Sequence, residues 1–304
     1  MINNRSFIRY TWFVFIMVFL VILAGGVVRM TQSGMGCPDW PRCFGRWVPP
    51  TDASELPADF EKYLRTQDID HSFNAYHTWI EYINRLLGAV LGIFILIHAA
   101  WSIKKFRKKN KTVMWLSLFM LVAVGFQGYL GKMVVDANLA VLKVTAHMLV
   151  ALLIAALPLW IIAKLQDKKT DAGKSLKFIS VLTLVAVLVQ IILGTDVREQ
   201  IDEISKSFGY AHRELWISRL DYMFIIHRSF SWLVAGLCIY LFIRSKKYSE
   251  LKVYHFLILF PVSISIITGL SMNYIHMPAI AQPIHLLAGS MLVMGLFSFR
   301  MQLK

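Results

Sequence analysis

The stretch that decides the fold is Tyr222–Ile243, which reads YMFIIHRSFSWLVAGLCIYLFI. It is apolar and long enough to cross the hydrocarbon core of a bilayer as one helix. It nevertheless carries His227 and Arg228 near its first turn. Titratable residues inside a membrane span are costly, and they usually serve a function. The sequence therefore predicts a membrane helix with a functional site near one end.

A second stretch, Trp79–Ile97, repeats this pattern as WIEYINRLLGAVLGIFILI. Asn84 and Arg85 occupy the positions that His227 and Arg228 occupy in the first stretch. The chain thus contains a near-repeat in which an asparagine replaces a histidine.

The composition agrees with a membrane protein. Of 304 residues, 57% are apolar and 16% are charged, whereas soluble domains average roughly 45–50% and 25%. The net charge of +14 does not indicate nucleic-acid binding, because lysine and arginine cluster in short connections between apolar runs. We therefore expect a polytopic membrane protein with the lipid bilayer, and no nucleic acid, as its surroundings.

Eight runs are long enough to span a membrane, and we read the first as a retained helix because no cleavage site follows it. The fold class is thus an all-α membrane protein with eight transmembrane helices. The runs lie near residues 11–28, 78–102, 113–133, 140–163, 177–194, 222–243, 253–273 and 279–300.

Basic residues precede the first run and fill alternate connections, near 104–111, 164–177 and 244–252. By the positive-inside rule both termini are then cytoplasmic, and the loops 29–77 and 195–221 face outside. We expect the protein in the bacterial cytoplasmic (inner) membrane.

The two halves repeat the same order of features. Each has a span followed by a long outer loop, a span with the Asn-Arg or His-Arg pair, a glycine-bearing span, and a last span with one histidine, His147 or His285. This order predicts two pseudo-symmetric four-helix bundles, residues 1–170 and 171–304, each able to enclose a cofactor.

His227 and His285 lie near the outer ends of their spans, at a similar depth. Two imidazoles that face each other across a bundle suit the axial positions of a haem iron. Arg228 and Arg198 lie where they could pair with haem propionates. The alternatives are that both histidines are hydrogen-bonded packing residues and that Arg228 extends to the membrane interface.

The first half offers a different set of side chains. His147 corresponds to His285, but the position that corresponds to His227 holds Asn84. An amide is a poor ligand for iron. His77, Glu81 and Asn84 follow one another at helical spacing, so they share one face. This half therefore resembles a substrate site, with Glu81 as proton acceptor or electrostatic stabiliser. The alternative is that Glu81 only pairs with Arg85, four residues later.

Cys37 and Cys43 lie just after the first span. An outer location permits a disulfide between them. From the spacing alone a structural disulfide, a redox pair and two unrelated thiols all stay open.

Five segments together resemble the haem A synthase family, an eight-span membrane enzyme, in order over essentially the whole chain. They are GGVVRMTQSGMGCPDWPRC at 25–43, EYINRLLG at 81–88, VTAHMLVALL at 144–153, IIHRSFSW at 225–232 and IHLLAGS at 284–290. The resemblance implies oxidation of the C8 methyl of haem O to a formyl group, which gives haem A. It implies a haem B cofactor ligated by His227 and His285, with Arg228 beside it.

The same resemblance places the substrate haem O in the first half, with Glu81 as the catalytic residue and His147 as a ligand. Asn84 replaces the histidine of the family, so we assign His77 and Arg85, with Asn84, as further candidates at this site. The cysteine pair of the family corresponds to Cys37 and Cys43. A second pair, which some members carry after the fifth span, is absent from this sequence.

The partners that the resemblance implies are haem O synthase and an electron donor, and a homo-oligomer is compatible with the sequence. Two other hypotheses stay open. One is a di-haem electron-transfer cytochrome, which Asn84 disfavours because one haem seat lacks a ligand. The other is a transporter, which is disfavoured because no helix is visibly broken at the midplane.

Overall fold

The computed structural model describes residues 4–61, 63, 73–137, 139–166 and 169–304. Within them lie eight helices long and apolar enough to cross a membrane, and no β-strand. They are α1 (Arg5–Met30), α2 (Ala75–Phe106), α3 (Lys111–Asp136), α4 (Val141–Gln166), α5 (Lys174–Ser207), α6 (Tyr222–Ser245), α7 (Lys252–Tyr274) and α8 (Ala281–Gln302). The predicted all-α class with eight spans is confirmed.

Side-chain caps fix where several of these helices begin. Asn74 accepts hydrogen bonds from the main chain at the start of α2, Asn110 does so for α3, and Asp221 for α6. Asparagine and aspartate are favoured there because their oxygens satisfy main-chain N–H groups that have no partner within the helix. In the predicted outer loop 29–77, residues 62 and 64–72 lie outside the described part of the chain.

The prediction that residues 195–221 form an outer loop is wrong for its first part. Helix α5 continues through Ser207. Polar contacts at helical spacing support this extension, among them the ion pair between Arg198 and Asp202 at 2.7 Å. Its apolar face carries Ile201, which is buried in a cluster with Trp216 and Met277. The extension is therefore an amphipathic helix that packs against Trp216 and Met277.

Contacts divide the chain into two compact units, Met1–Leu157 and Pro158–Lys304. In the first unit α2 packs against both α1 and α3. In the second unit α5 packs against α6 and α8, and α7 packs against the same two helices. The second unit thus contains a closed four-helix ring. The pseudo-symmetry of the two bundles, and their boundary near residue 170, stay predictions.

Two histidines far from the predicted site have ordinary structural partners. His98 is buried, and its Nε2 lies 3.0 Å from Oγ1 of Thr11. His255 is also buried, and its Nε2 lies 2.8 Å from Oγ of Ser245. Hydrogen-bonded histidines of this kind join neighbouring helices.

Candidate functional site

Helices α6 and α8 bring His227 and His285 together. Their ring centroids are 6.4 Å apart and their planes are inclined by 62°. A ring nitrogen lies roughly 2 Å from a metal that it ligates, so two imidazoles on opposite sides of one ion have centroids about 6 Å apart. The observed pair therefore fits the axial ligand set of a haem iron.

Each of these rings lies over a glycine of a neighbouring helix. A Cβ on Gly194 would lie 3.0 Å from Cε1 of His227, and a Cβ on Gly269 would lie 3.6 Å from Cε1 of His285. We call such a glycine, with the ring above it, a glycine seat. At Gly194 the close approach excludes any larger residue unless the ring moves.

Hydrogen bonds orient both rings. Oγ1 of Thr268 donates to the main-chain oxygen of Ile264 at 2.7 Å and lies 3.0 Å from Nδ1 of His285. The hydroxyl has one proton, which it donates to the main-chain oxygen of Ile264. It therefore acts as the acceptor for Nδ1–H of His285. Nε2 of His285 then keeps its lone pair for a metal, as is usual for a ligating histidine with an outer partner.

His227 is held by Gln190 on α5. The side-chain amide of Gln190 donates to the main-chain oxygen of His227 at 3.0 Å, and it lies 3.2 Å from Nδ1 of the ring. The amide thereby holds both the main chain and the ring of His227 in place.

The two arginines that could face haem propionates differ in their surroundings. Arg228 is exposed, and its guanidinium lies over the ring of Phe224, 5.7 Å from the centroid. Arg198 is mostly buried, and it contacts Asp202 and the side-chain oxygen of Gln282. The position of Arg228 leaves its charge accessible to an anionic group.

The first unit contains one more glycine seat, between α3 and α4. A Cβ on Gly131 would lie 3.5 Å from Cε1 and 4.0 Å from Nδ1 of His147, nearly the same distances as at Gly269. Gln127, four residues before Gly131, donates to the main-chain oxygen of His147 at 2.9 Å. Gln127 thus holds the main chain of His147 as Gln190 holds that of His227.

The counterpart of His227 in this unit, Asn84, has no such seat. Gly25 precedes Arg29 by four residues, as Gly194 precedes Arg198, yet a Cβ on Gly25 would meet no atom of the described residues within 4 Å. The buried Oδ1 of Asn84 has no hydrogen-bond partner in the described part of the chain. Asn84 also borders an open apolar groove of about 290 Å³ between α1 and α2.

Glu81 and Arg85 form a buried ion pair near the N-terminal end of α2. Oε1 of Glu81 lies 2.5 Å from the guanidinium of Arg85, and Oε2 accepts from the main-chain nitrogen of Cys37 at 2.8 Å. Arg85 also donates to the main-chain oxygens of Cys37 at 2.8 Å and of Asp39 at 2.6 Å. The predicted pairing with Arg85 exists, and the pair additionally holds the loop that follows α1.

That loop is closed by a disulfide. Cys37 and Cys43 are bonded, with their Cα atoms 4.9 Å apart, and both are fully buried. Of the three readings left open by the spacing, two unrelated thiols are therefore excluded. Gly36 lies against the first turn of α2, where its carbonyl accepts from Oγ1 of Thr78 at 2.9 Å.

His77, the proposed substitute for the missing ligand, lies in this first turn. It precedes Asn84 by two helical turns, which is about 10 Å along the axis. Its main chain is the surface on which Gly36 rests. His77 is thus part of the loop-docking region at the end of α2.

Sequence reasoning missed the partners of the histidines, namely Gln127, Gln190 and Thr268. The available signal was the spacing of glutamine and glycine at i and i+4, found as Gln127-Gly131 and Gln190-Gly194. One face of a helix carries both residues, so a ring can lie over the glycine while the amide reaches the carbonyl.

Fold and site together define a polytopic all-α membrane protein with a paired-imidazole site. A family model described as cytochrome oxidase assembly protein, COX15-CtaA, matches residues 8–297. The chain belongs to this family.

Individual relatives agree with this assignment. A haem A synthase of Shewanella oneidensis is 30% identical over 193 residues, which cover 61% of this chain and 56% of that protein. A haem A synthase of Flavobacterium johnsoniae is 25% identical over 282 residues, covering 81% of this chain and 82% of that protein. The chain thus spans little more than half of the first relative and about four-fifths of the second.

Proposed function

We propose that this membrane oxidoreductase of haem A biosynthesis converts haem O to haem A by oxidising the C8 methyl to a formyl group. The observation that carries the proposal is the imidazole pair of His227 and His285, found in a chain whose relatives are named haem A synthases. Two successive hydroxylations give a geminal diol, which loses water to the aldehyde. Overall, the methyl group and one water yield the formyl group, four protons and four electrons.

The cofactor of this reaction is haem B, held by His227 and His285 in the second unit. Bound there, it supplies one-electron redox chemistry. Thr268 and Gln190 orient the two rings, and the exposed guanidinium of Arg228 is available to a propionate. An outer hydrogen bond of the Thr268 type typically raises metal affinity about 10- to 100-fold, which suits a resident group.

The substrate haem O occupies the first unit, with His147 as its ligand. Leu130 precedes Gly131 as Thr268 precedes Gly269, so it offers His147 no hydroxyl. Nδ1 of His147 indeed has no hydrogen-bond partner among the described residues. A ligand without this outer support binds more weakly, as a site that must release its product requires.

Glu81 is the proposed catalytic carboxylate. Arg85 and the main-chain nitrogen of Cys37 hold the carboxylate of Glu81 in one position. The carboxylate therefore needs little reorganisation to stabilise positive charge or to accept a proton. The same helix, α2, carries Arg85, Asn84 and His77 toward its outer end.

The protein operates in the bacterial inner membrane with both termini in the cytoplasm, as its basic connections indicate. The site residues then lie near the outer face. Its expected partners are haem O synthase, which supplies the substrate, an electron-transfer partner, and in a homo-oligomer further copies of itself.

The test is an optical spectrum and haem extraction on detergent-purified protein from cells that make haem O. Wild type should show six-coordinate haem B, and His227→Ala should lose it. His255→Ala, which removes a histidine of the same unit that is hydrogen-bonded to Ser245, should keep the haem and serves as control. Equal loss in both variants would contradict the assignment of His227.

Glu81→Gln separates the enzyme from the rival electron-transfer cytochrome. An enzyme should lose haem A production and keep its haem B spectrum, whereas a pure electron carrier should tolerate the change. Solute uptake without any haem would instead favour a transporter.

A further inference from the structure

We infer that a haem in the first unit has one protein ligand, His147, and that its opposite face, beside Asn84, is a binding site for a small diatomic ligand. This inference rests on the proposed function, because it requires haem O in the first unit.

Three glycine seats lie in the described part of the chain, under His147, His227 and His285. His147 lies over Gly131 much as His285 lies over Gly269, and the distances from the two glycines agree within 0.1 Å. His147 is thus presented by its helix pair in the same manner as a histidine of the imidazole pair. It can ligate one face of a haem.

The other face depends on Asn84. In the second unit the equivalent position is His227, whose ring covers Gly194 at 3.0 Å. At the equivalent glycine of the first unit, Gly25, a Cβ would meet no described atom within 4 Å. The shorter asparagine therefore leaves uncovered the space that a histidine ring would occupy.

The chemistry of Asn84 agrees with its geometry. Haem iron takes imidazole, thiolate, thioether or phenolate ligands from proteins, and a carboxamide is none of these. The buried Oδ1 of Asn84 lacks a hydrogen-bond partner in the part of the chain that the structure describes. Its amide is consequently free to turn its N–H₂ toward a bound ligand, as a hydrogen-bond donor.

An open apolar groove between α1 and α2 borders Asn84 and gives such a ligand access to this position. It measures about 290 Å³, and apolar side chains of α1 and α2, including Leu20, Val27 and Ile80, supply the rest of its lining. One water molecule takes roughly 30 Å³, so a diatomic molecule fits several times over. An apolar lining favours a neutral diatomic ligand over an anion.

His77 does not restore the second ligand, because it lies two turns from Asn84. The loop at Gly36 packs on the first turn of α2, in which His77 lies. His77→Ala should therefore leave the spectrum of the haem in the first unit unchanged.

The experiment uses the full chain, purified from cells that make haem O and then reduced and exposed to carbon monoxide. Wild type should give a carbon monoxide difference spectrum, and Gly92→Ala, whose added Cβ meets no described atom within 4 Å, should keep it. Asn84→His should lose it, because the ring can cover Gly25 and occupy the free face. His147→Ala should lose it too, together with the haem of the first unit.

Haem extraction from the same samples separates the two proposals. Haem O or haem A in the extract without a carbon monoxide signal would overturn this inference alone. A low-spin wild type that becomes reactive only in His77→Ala would also overturn it and would identify His77 as the second ligand. An extract with haem B only would overturn the proposed function, and this inference with it.

Discussion

Gly36→Ala should release the disulfide loop from helix α2. A Cβ on Gly36 would lie 2.5 Å from the main-chain carbon of His77 and 2.8 Å from the main-chain nitrogen of Thr78. Ordinary contacts begin near 3.4 Å, so the two backbones must separate by about 1 Å. Helix backbone yields far less readily than a side chain, and the loop is therefore the part that moves.

Two hydrogen bonds are lost in this movement. Oγ1 of Thr78 donates to the Gly36 carbonyl at 2.9 Å, and the Cys37 nitrogen donates to Glu81 at 2.8 Å. A neutral hydrogen bond contributes about 0.5–1.5 kcal/mol, and one to a charged group about 1.5–3 kcal/mol. The loop thus loses about 2–4.5 kcal/mol of docking free energy, and its undocked population rises roughly 30- to 1,600-fold.

The assay is the rate at which dithiothreitol reduces the Cys37–Cys43 disulfide, followed by the gel shift from a polymer-linked maleimide. Both cysteines are fully buried, so reduction requires undocking and its rate follows the undocked population. Buried Cys238 adds a constant background.

Gly92→Ala is the control for this experiment. It lies on α2, and its added Cβ meets no described atom within 4 Å. Equal reduction rates in the two variants would refute the docking argument.

Two further substitutions test the helix contacts. Gly295→Ala places a Cβ 2.9 Å from the main-chain carbon of Leu257, so overpacking should cost about 1–3 kcal/mol. Its thermal midpoint in detergent should fall below that of Gly289→Ala, whose Cβ meets no described atom within 4 Å, and equal midpoints would contradict this packing. Thr268→Val removes the acceptor of His285 Nδ1, so on the proposed assignment haem affinity should fall about 10- to 100-fold. Haem retained after gel filtration measures it; Thr268→Ser should retain haem normally, and full retention by Thr268→Val would exclude the orienting role.

The number and order of the helices could be predicted because a membrane span must satisfy every main-chain polar group within itself. Each predicted run therefore corresponds to one helix of the structure. Mean hydropathy is low in an amphipathic helix, because polar and apolar residues alternate along it. Residues 195–207 of α5 were therefore expected to be a loop. Their apolar positions, Val197, Ile201 and Ile204, nevertheless recur at helical spacing.

The site was partly accessible from the sequence. The matched depth of His227 and His285 anticipated their proximity, since depth follows from the distance to the end of a span. The docking of the cysteine loop on Glu81 and Arg85 could not be anticipated, because it depends on how a loop folds back over a helix. The glycine seats depend on the rotation of each helix about its axis, which hydropathy does not determine.

Gln127 and Gln190 have a consequence for how the chain assembles. Each side-chain amide reaches a carbonyl on the next helix, at His147 and at His227. An amide without a partner costs several kcal/mol in hydrocarbon. Sliding one helix past its neighbour by a single turn, about 5.4 Å, would remove that acceptor. The glutamines therefore favour one register of each helix pair, and this register sets the depth at which His147 and His227 lie in the membrane.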